Sequence, residues 1–432
     1  MNREVSGWGG YPKVDAQIIA PATAGDCGKW LDDPLIARGK GRSYGDSASS
    51  RKVLQTTYLD HFIAFDETNG VLGCEAGVSL REVLRLIVPK GWFLPVTPGT
   101  SYVSIGGAIA SDVHGKNHHH TGTLGEHVRS LRILLGTGET VVATPTDHPE
   151  LFHATCGGMG LTGIILDATL QLIPIASARI DQTTIKTDSL EALCEAFEAH
   201  AQATYSVAWI DCVRSGKSLG RSVLRLGEHA ATGGFDIGTG DPLDVPMYAP
   251  SLLINKLTVS VFNSLYYAAA THDQRESIPM LPYFYPLDSI GEWRRLYGKP
   301  GFVQYQFVVP YQDGVRNMRT ILARIAESGA GSALAVLKLF REQNDNHLSF
   351  PMAGYSLALD FRLTRQVVSL FLELDAMVVD MGGRIYLTKD ALMSESTFKR
   401  TYGRWQEFEE VRASYGAIGK FASSQSRRLG LA

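Results

Sequence analysis

The stretch TPGTSYVSIGGAIASDVHGKNHHHTGTLGEHVRS, residues 97–130, decides the fold of this chain. It holds six glycines and five histidines between two apolar runs, LIVPKGWFLPV (86–96) and LRILLGTGE (131–139). Glycine allows positive φ and lets a flat ligand approach the backbone, although it costs conformational entropy on folding. The G-x-x-x-x-G-K-[ST] order of a nucleotide P-loop is absent from it. The stretch therefore predicts a wall of bare backbone N–H groups that can line the pyrophosphate and ring edge of a cofactor.

The composition is that of a globular protein with two domains or one large composite domain: 432 residues, 44% of them hydrophobic and 20% charged. The net charge of −3 provides no basic surface for nucleic acid. Five cysteines are scattered along the chain without a C-x-x-C pair. They predict free thiols in a reducing compartment rather than a disulfide framework or a zinc site.

The first residues, MNREVSGWGGYPKVDAQ, lack the apolar core of a signal peptide, and no apolar run has the length of a transmembrane helix. The nearest, residues 251–270, is interrupted by Lys256 and two asparagines. It predicts a partly buried helix, with a position on a bilayer surface as the alternative. We expect cytoplasmic synthesis and loose association with the inner face of the membrane.

Short strands and turns are predicted for the first third of the chain, with an amphipathic helix over 80–87 and a strand over 128–135 that ends in the turn TGE. From about residue 177 to 383, helices alternate with strands, which predicts an α+β region with an antiparallel sheet. Residues 227–250, rich in Gly, Pro and Asp, predict a long loop. The last stretch predicts a strand that carries Lys389, followed by charged helices.

Gly158, Gly160 and Gly163 satisfy G-x-G-x-x-G, and Asp181 lies at about the spacing of a ribose-binding acid. A Rossmann site needs a strand before the glycines and a helix after them. Here a helical piece precedes them, and the alternating IILDATLQL (164–172) follows. We therefore reject a Rossmann site. A turn that contacts another ligand and a purely structural turn remain as alternatives.

Ten stretches, in order along nearly the whole chain, carry a resemblance to a known family: GKGRSYGD (39–46), PGTSYVSIGGAIASDVHGKNHH (98–119), HVRS (127–130), LFHATCGGMGLTGII (151–165), PLDSIGEWRRLYG (286–298), GFVQYQFVVP (301–310), LKLF (337–340), LSFP (348–351), GGRIYLTKD (382–390) and FASSQSRRL (421–429). The chain resembles the decaprenylphosphoryl-β-D-ribose 2'-oxidase family, within the vanillyl-alcohol-oxidase (PCMH-type) flavoprotein superfamily.

The resemblance implies an α+β protein with a PCMH-type FAD-binding domain of two subdomains (1–177). A substrate domain (178–383) caps the flavin with an antiparallel sheet, and a C-terminal segment (384–432) returns to the FAD domain. Related sugar-alcohol and lactone oxidases carry a histidine in the first glycine loop that bonds covalently to the flavin. Here that loop reads Gly41-Arg42-Ser43-Tyr44-Gly45, so FAD is expected to be non-covalent.

The resemblance also implies which residues contact the cofactor. They are Arg38, Gly39, Lys40, Gly41, Arg42, Ser43, Tyr44, Gly45, Pro98, Gly99, Thr100, Ile105, Gly106, Gly107, Ala110, Ser111, His114, Gly115, Asn117, Thr121, Gly158, Gly160, Gly163, Ile164 and Tyr386.

Each pocket candidate near the central stretch has a structural alternative. His114 could cap a turn, whereas the resemblance places it beside the flavin and the substrate. Lys116 could be surface charge, but a lysine in a glycine loop can meet a phosphate as a point charge. His118, His119 and His120 are neighbours that point in different directions without a carboxylate or cysteine cluster, so no metal site is predicted.

Gln304 and Gln306 alternate in a strand and face one side, which favours a polar cavity over an apolar core. Lys338 lies between two leucines in a β-like run, and Lys389 could pair with Asp390, although neighbours in a strand point apart. The resemblance places both lysines in the substrate pocket. The predicted substrate-binding set is Tyr44, Lys116, Trp209, Phe284, Gln304, Gln306, Lys338 and Ala358.

The chemistry that fits is oxidation of a secondary alcohol, in which hydride leaves carbon for the flavin and a base takes the hydroxyl proton. A lysine buried beside another cation can have a pKa low enough for that role, so Lys389 is the first candidate and His114 the second. Two departures from the family bear on which substrate is used and on sensitivity to thiol-trapping inhibitors. Neither removes a candidate base, so the predicted oxidation is unaffected. Ala358 stands where actinobacterial members carry a cysteine. Those members also have a tyrosine before a His-Pro-Leu-Asp-like segment, where this chain reads Phe284-Tyr285-Pro286.

Three functional hypotheses follow. The first is oxidation of the 2'-hydroxyl of a polyprenylphosphoryl-pentose, half of an epimerisation toward the arabinose form that a separate NAD(P)H-dependent short-chain reductase completes. The second is an alditol or sugar-1,4-lactone oxidase of the same fold. The third is a flavin-binding protein without catalysis.

Overall fold

A computed structural model describes residues 2–238, 243–250 and 255–431 of the chain. The protein is α+β, as predicted, with largely antiparallel sheets joined by helices. The strands are β1 Asn2–Ser6, β2 Lys13–Ile19, β3 Ile36–Arg38, β4 Lys52–Gln55, β5 Phe62–Asp66, β6 Val71–Glu75, β7 Trp92–Phe93, β8 Val128–Leu134, β9 Thr140–Ala143, β10 Ile164–Gln171, β11 Ile173–Pro174, β12 Arg179–Thr187, β13 Tyr205–Ile210, β14 Ser222–His229, β15 Leu243–Asp244, β16 Gln274–Pro279, β17 Ile290–Gly291, β18 Phe302–Pro310, β19 Ala335–Phe340, β20 Gly354–Arg362 and β21 Arg384–Ile385. The helices are α1 Leu80–Ile87, α2 Ile105–Ala110, α3 His118–Thr121, α4 Pro149–Thr155, α5 Leu190–Ala199, α6 Lys256–Ala269, α7 Met280–Phe284, α8 Gly314–Ser328, α9 Arg365–Asp380, α10 Glu395–Thr401, α11 Trp405–Ser414 and α12 Ser424–Arg428.

Two larger sheets and the two-stranded sheet β11-β7 form the first part of the molecule as far as the structure describes it. One has four strands in the order β1-β2-β4-β3, and the other has five antiparallel strands in the order β5-β6-β10-β8-β9. Helix α1 forms as predicted because Ser79 and Glu82 make a capping box at its start and its apolar face is buried. The stretch 97–130 follows α1 and supplies α2, α3 and the first residues of β8.

The glycine turn at 157–163 connects a helix to a strand. Helix α4 precedes the turn and β10 follows it, which confirms the rejection of a Rossmann site. Gly160 adopts φ +77°, a value that glycine tolerates better than other residues.

An eight-stranded antiparallel sheet forms the second part, in the order β16-β12-β14-β13-β19-β20-β18-β21, which confirms the predicted antiparallel sheet. Along β18, Val303, Tyr305 and Phe307 belong to the core that includes α8 and α9. Gln304 and Gln306 lie on the opposite face, because successive strand residues point to opposite sides.

The predicted loop 227–250 begins later than expected. Gly227 pairs with Gln182 and with Tyr205, because β14 extends to His229 between two partner strands. Residues 239–242 of this loop and 251–254 of the predicted helix 251–270 lie outside the described residues, and α6 begins at Lys256.

The C-terminal segment packs back against the first part. Arg412 is fully buried and donates to the carbonyl oxygens of Leu161, Phe421 and Leu431. The Arg428 guanidinium pairs with Asp46 at 2.8 Å. Strand β12 begins near the predicted boundary at 177 and β21 ends near that at 383, while the division into domains itself stays a prediction.

The predicted strand at Lys389 is wrong. Strand β21 ends at Ile385, and residues 387–389 form a turn in which the Lys389 N–H donates to the Tyr386 carbonyl at 3.0 Å. Asp390 holds this turn because its carboxylate accepts from the N–H groups of Leu392 and Met393. The same carboxylate pairs with Arg428 at 2.9 Å and not with Lys389.

In the part of the chain that the structure describes, no helix has both the length and the apolar character needed to cross a bilayer. The five cysteines, Cys27, Cys74, Cys156, Cys194 and Cys212, are buried and free.

Candidate active site

A cavity of about 760 Å³ lies between the glycine-rich stretch and the eight-stranded sheet. Its volume is within the range of cofactor and ligand sites. All ten predicted catalytic and substrate-binding residues line it: Lys389, His114, Tyr44, Lys116, Trp209, Phe284, Gln304, Gln306, Lys338 and Ala358. The fold therefore brings residues from distant parts of the sequence to one site.

One wall of the cavity is largely glycine backbone. Apart from Gly99 and its two chain neighbours, no heavy atom of the described residues lies within 4 Å of the position that a Cβ on Gly99 would take, so the backbone there faces open space. A Cβ on Gly106 would meet Ala76 at 2.8 Å, because the chain packs tightly behind the wall. The Gly106 N–H donates to the Ala76 carbonyl at 2.8 Å, so it is the open glycine backbone at Gly99 that fits a flat cofactor carrying a diphosphate. The predicted cofactor contacts on this wall are Gly39, Lys40, Gly41, Arg42, Ser43, Tyr44, Pro98, Gly99, Thr100, Gly106, Gly107, Ala110, Ser111, His114, Gly160, Gly163 and Tyr386.

Eight predicted cofactor contacts lie behind the wall instead: Arg38, Gly45, Ile105, Gly115, Asn117, Thr121, Gly158 and Ile164. Arg38 donates to the carbonyls of Ser6 at 2.7 Å and Ala48 at 3.0 Å. Asn117 Nδ2 donates to the Pro95 carbonyl at 2.8 Å, and both isoleucines are buried in hydrophobic clusters. The Arg38 and Asn117 side chains support the backbone of the wall.

The opposite wall is built from alternate residues of neighbouring strands. One row across the sheet is Gln306, Ala358, Val336, Trp209 and Val223. In the next row Ser356 pairs with Lys338, and Val207 pairs with Arg225. The two-residue period of the strands thus places these polar groups on the cavity face.

Lys389 extends over the ring of Tyr44, with Nζ 3.8 Å from the ring centroid. Burial lowers the pKa of Lys389 and the charge of Lys338 adds to this, whereas Asp360 opposes the shift. Asp360 is buried, accepts a hydrogen bond from Gln304 Nε2, and has its pKa raised by burial. A lysine with a lowered pKa can be neutral and accept a proton.

His114 is surrounded by aromatic rings, with centroids 4.6 Å away at Phe340 and 5.4 Å away at Tyr386. Its Nε2 accepts from Gln306 Nε2 at 3.0 Å in the orientation that the structure gives this amide. Burial, followed by the charge of Lys338, holds the pKa of His114 well below its usual value. The Nε2 lone pair of His114 is therefore engaged, which makes it a weaker base candidate than Lys389.

Lys116 is partly buried in the cavity wall rather than a surface charge. Its Nζ donates to the Tyr283 carbonyl and lies 4.1 Å from the centroid of the Tyr283 ring. Burial, then the charges of Lys338 and Arg225, hold the pKa of Lys116 well below its usual value. Burial also lowers the pKa of Lys338 to about 8.

Trp209 and Phe284 bring aromatic surface to the cavity. The Trp209 ring centroid lies 4.7 Å from that of Tyr266 on α6, and its Nε1 donates to the Ala333 carbonyl at 3.2 Å. Phe284 packs on Tyr205 with centroids 4.9 Å apart. Trp209 is thus fixed by two residues that also line the cavity, and Phe284 by Tyr205, which does not line it.

No sequence pattern indicated a role for Asp112, the residue that anchors the glycine-rich stretch. Its buried carboxylate accepts from Gly125 N–H at 2.9 Å, from Ser349 Oγ at 2.6 Å, and from the side-chain amides of Asn344 and Asn346 at 2.9 Å each. The bonds from Asn344, Asn346 and Ser349 join the stretch to the loop after β19, and the bond from Gly125 lies within the stretch. The sequence around Asp112 could not predict this anchoring role, because the partners in the loop after β19 are brought beside it only by the fold.

Six further residues line the cavity although no local sequence pattern predicted them as site residues: Trp8, Tyr102, Arg225, Tyr266, Asp288 and Trp293. The Arg42 guanidinium carbon lies 4.1 Å from the centroid of the Trp8 ring. Ser101 donates through N–H and Oγ to Asp288 at 2.7 and 2.6 Å. Only the register of β14 against β13 reveals that Arg225 belongs to the wall.

The three consecutive histidines turn to different partners. His118 Nδ1 accepts from the Arg341 N–H at 3.2 Å, and His119 Nε2 lies 2.9 Å from the Ala203 carbonyl oxygen. Within the described ranges, no group of three His, Cys, Asp or Glu side chains could hold a metal ion.

Comparison with known proteins adds one family match and three relatives. Residues 23–144 match the FAD binding domain family. The chain is 38% identical over 412 residues to the decaprenylphosphoryl-beta-D-ribose oxidase of Mycolicibacterium smegmatis, covering 92% of this chain and 89% of that protein. It is 30% identical over 377 residues to an uncharacterised protein of Streptomyces coelicolor, covering 82% of this chain and all of that protein. A putative D-arabinono-1,4-lactone oxidase of Neurospora crassa is 32% identical over 156 residues, covering 35% of this chain and 27% of that protein.

Proposed function

This chain belongs to the decaprenylphosphoryl-β-D-ribose oxidase family, and we propose that it oxidises the 2'-hydroxyl of a polyprenylphosphoryl-pentose to the 2'-keto sugar. It is an FAD-dependent oxidoreductase. The observation that carries the proposal is the meeting of a glycine-rich wall with partly buried Lys389 in one cavity. The lactone oxidase of Neurospora crassa matches only a third of the chain, so it supports the cofactor part and not the substrate.

FAD is held without a covalent bond in this proposal. The loop Gly41–Gly45 has no histidine, and its Arg42, Ser43 and Tyr44 line the cavity. FAD, when bound, supplies the acceptor for the hydride of the alcohol carbon. Acid precipitation is expected to release all flavin into the supernatant, and flavin that stays with the pellet would contradict this.

Lys389 acts as the base. As hydride leaves C2', Lys389 Nζ takes the proton of the 2'-hydroxyl, so that the carbonyl forms with no charge left on the sugar oxygen. Lys389 lies in a turn with its Nζ over the Tyr44 ring, and its pKa is lowered. Both features suit a proton acceptor. Gln304 and Gln306 are hydrogen-bonded to Asp360 and His114, so they can hold sugar hydroxyls in a fixed orientation. Lys116 and Lys338 hold the phosphate.

The fold assignment in this proposal is the PCMH type. Residues 1–177 form two subdomains around FAD, the sheet of 178–383 caps the isoalloxazine ring, and 384–432 return to the FAD domain. The sheet order and the contacts of Arg412 and Arg428 support it.

The product implies a second enzyme. A 2'-keto sugar must be reduced from the opposite face to give the arabinose form. A separate NAD(P)H-dependent short-chain reductase would supply that hydride, which completes the epimerisation.

We place the protein at the inner face of the membrane, in loose contact with lipid. Helix α6 exposes Leu257, Val261 and Leu265, four residues apart, with 74%, 52% and 66% of each side chain accessible. Phe262 of the same helix is exposed and also lines the cavity. An apolar stripe of this kind at the cavity mouth suits a helix that lies on a bilayer surface.

Deuterium at C2' of the sugar tests the site of oxidation. Flavin reduction is expected to slow several-fold with 2'-deuterated polyprenylphosphoryl-ribose, because that C–H bond breaks. A 3'-deuterated control is expected to react at the unlabelled rate. Slowing by the 3' label alone would contradict the proposal.

A further inference from the structure

We propose that Arg225 completes a three-cation site, with Lys116 and Lys338, that binds the phosphate of the substrate. This inference rests on the proposed function. Arg225 lies on β14, beside Val207 of β13, and its side chain lines the same cavity as both lysines. Neighbouring strands lie about 4.8 Å apart, so β14 and β19 are about 10 Å apart with β13 between them. The long side chains of Arg225 and Lys338 can therefore meet one small anion above Val207.

The three cations lack a carboxylate counter-ion. Among the described residues, none of them forms an ion pair within 4 Å of Asp or Glu. The cavity wall does include carboxylates, at Asp244, Asp288 and Glu292. Asp288 accepts from Ser101, and Glu292 pairs with Arg294 and Arg295. Lys116, Arg225 and Lys338 are partly buried, and a partly buried cation without a counter-ion is unfavourable, so an anionic ligand is expected to complete this group.

The electrostatic effect of Lys338 and Arg225 on Lys116 agrees with the three side chains lining one cavity. After burial, the positive charges of Lys338 and Arg225 are what lower the pKa of Lys116. Both charges therefore lie near enough to Lys116 to affect its ionisation, and all three side chains line one cavity.

Phosphate is the anion that suits these side chains. The planar guanidinium of Arg225 can bind two phosphate oxygens at once, while the lysines act as point charges. The Arg225 guanidinium carbon also lies 5.7 Å from the centroid of the Tyr266 ring, on the helix whose outer face carries the apolar stripe. The cavity thus runs from Lys389 through the cations to an apolar mouth, the order of sugar, phosphate and lipid in a polyprenylphosphoryl-sugar.

Two substitutions of Arg225 test the site. In the FAD-loaded protein, Arg225→Ala is expected to raise the concentration of short-chain polyprenylphosphoryl-ribose for half-maximal flavin reduction about 10- to 100-fold, as for lost charged hydrogen bonds. The limiting rate is expected to change less than about threefold. The contact between Arg225 and the phosphate is the same in the bound substrate and in the transition state, so its loss weakens binding without slowing the chemical step. Arg225→Lys is expected to recover part of the loss. Arg316→Ala, an exposed arginine on α8, is the control.

Calorimetry with inorganic phosphate separates this inference from the proposed function. The FAD-loaded protein is expected to bind phosphate saturably, and Arg225→Ala is expected to lose at least tenfold in affinity. That result supports the site whether or not the sugar reduces the flavin. Equal phosphate affinity in both proteins, or an unchanged half-saturating substrate concentration in Arg225→Ala, would overturn the assignment. Failure of the unsubstituted protein to be reduced would instead contradict the proposed function.

Discussion

At the scale of single residues, Lys389 decides whether the cavity can carry out the oxidation. Replacing it with Ala is expected to slow flavin reduction by roughly 10²–10⁴-fold, because a positioned base is lost. FAD should remain bound, since the glycine wall is unchanged. Stopped-flow reduction of the variant measures this, and Lys399→Ala, a surface lysine paired with Glu395, is the matched control. If Lys389→Ala changes only the half-saturating concentration, the base lies elsewhere and His114 is the next residue to test.

The pH dependence of reduction follows from the same lysine. Only neutral Lys389 accepts a proton, so the rate rises with pH through its pKa and then levels off. Burial lowers that pKa, which places the rise well below the value of about 10.4 for an exposed lysine. A rate–pH profile of reduction measures this. A profile that rises only near pH 10 would show that Lys389 is not the base.

Ala358 controls a different property. It lies on the cavity wall beside Gln306, where the resembling family members carry a cysteine. Ala358→Cys is expected to leave turnover nearly unchanged, because one small neutral side chain replaces another. It should also make the protein sensitive to thiol-trapping inhibitors, seen as an adduct mass on the intact protein. An unmodified protein after inhibitor treatment would place residue 358 out of reach of the bound inhibitor.

At the scale of elements, the link between the glycine-rich stretch and the loop after β19 depends on Asp112. Asp112→Ala removes the acceptor of four donors, three of them buried, and it is expected to cost on the order of 3 kcal/mol of the free energy of unfolding. Thermal unfolding monitored by circular dichroism measures the loss. Asp345→Ala, an exposed aspartate in the same loop, is the control and should unfold like the parent. Equal melting temperatures for all three proteins would contradict this account of the wall.

Helix α6 provides the membrane prediction. Val261→Asp and Leu265→Asp together are expected to abolish co-sedimentation with anionic lipid vesicles, because the apolar stripe then carries two charges. The fold should be retained, since both side chains are exposed. Leu372→Asp places a charge on α9, at a side chain that is 58% exposed. Equal sedimentation of the α6 and α9 variants would remove α6 as the contact.

Local patterns explain which elements the sequence predicted. Helix α1 carries its own capping box, and the alternation of Gln304 and Gln306 is a property of β18 itself. The turn at Lys389 was missed because Asp390 and Arg428, distant from each other in sequence, hold it. Arg225 was missed for a similar reason, since strand register and not sequence spacing brings it to the cavity.

At the scale of the whole molecule, the C-terminal segment closes the fold through Arg412. Arg412→Ala leaves three buried carbonyl oxygens without their donor and is expected to destabilise the protein by about 3–5 kcal/mol. Chemical denaturation measures this, with Arg400→Ala on the surface of α10 as the control. A midpoint unchanged by Arg412→Ala would mean that the segment contributes little to stability.

The central claim is that this cavity oxidises a phosphate-linked pentose. The most direct test is anaerobic mixing of the FAD-loaded protein with short-chain polyprenylphosphoryl-β-D-ribose and, separately, with free alditols and aldonolactones. We predict rapid bleaching of the flavin by the phosphate-linked sugar and little or none by the others. Bleaching by free alditols or lactones, with none by the phosphate-linked sugar, would contradict the account.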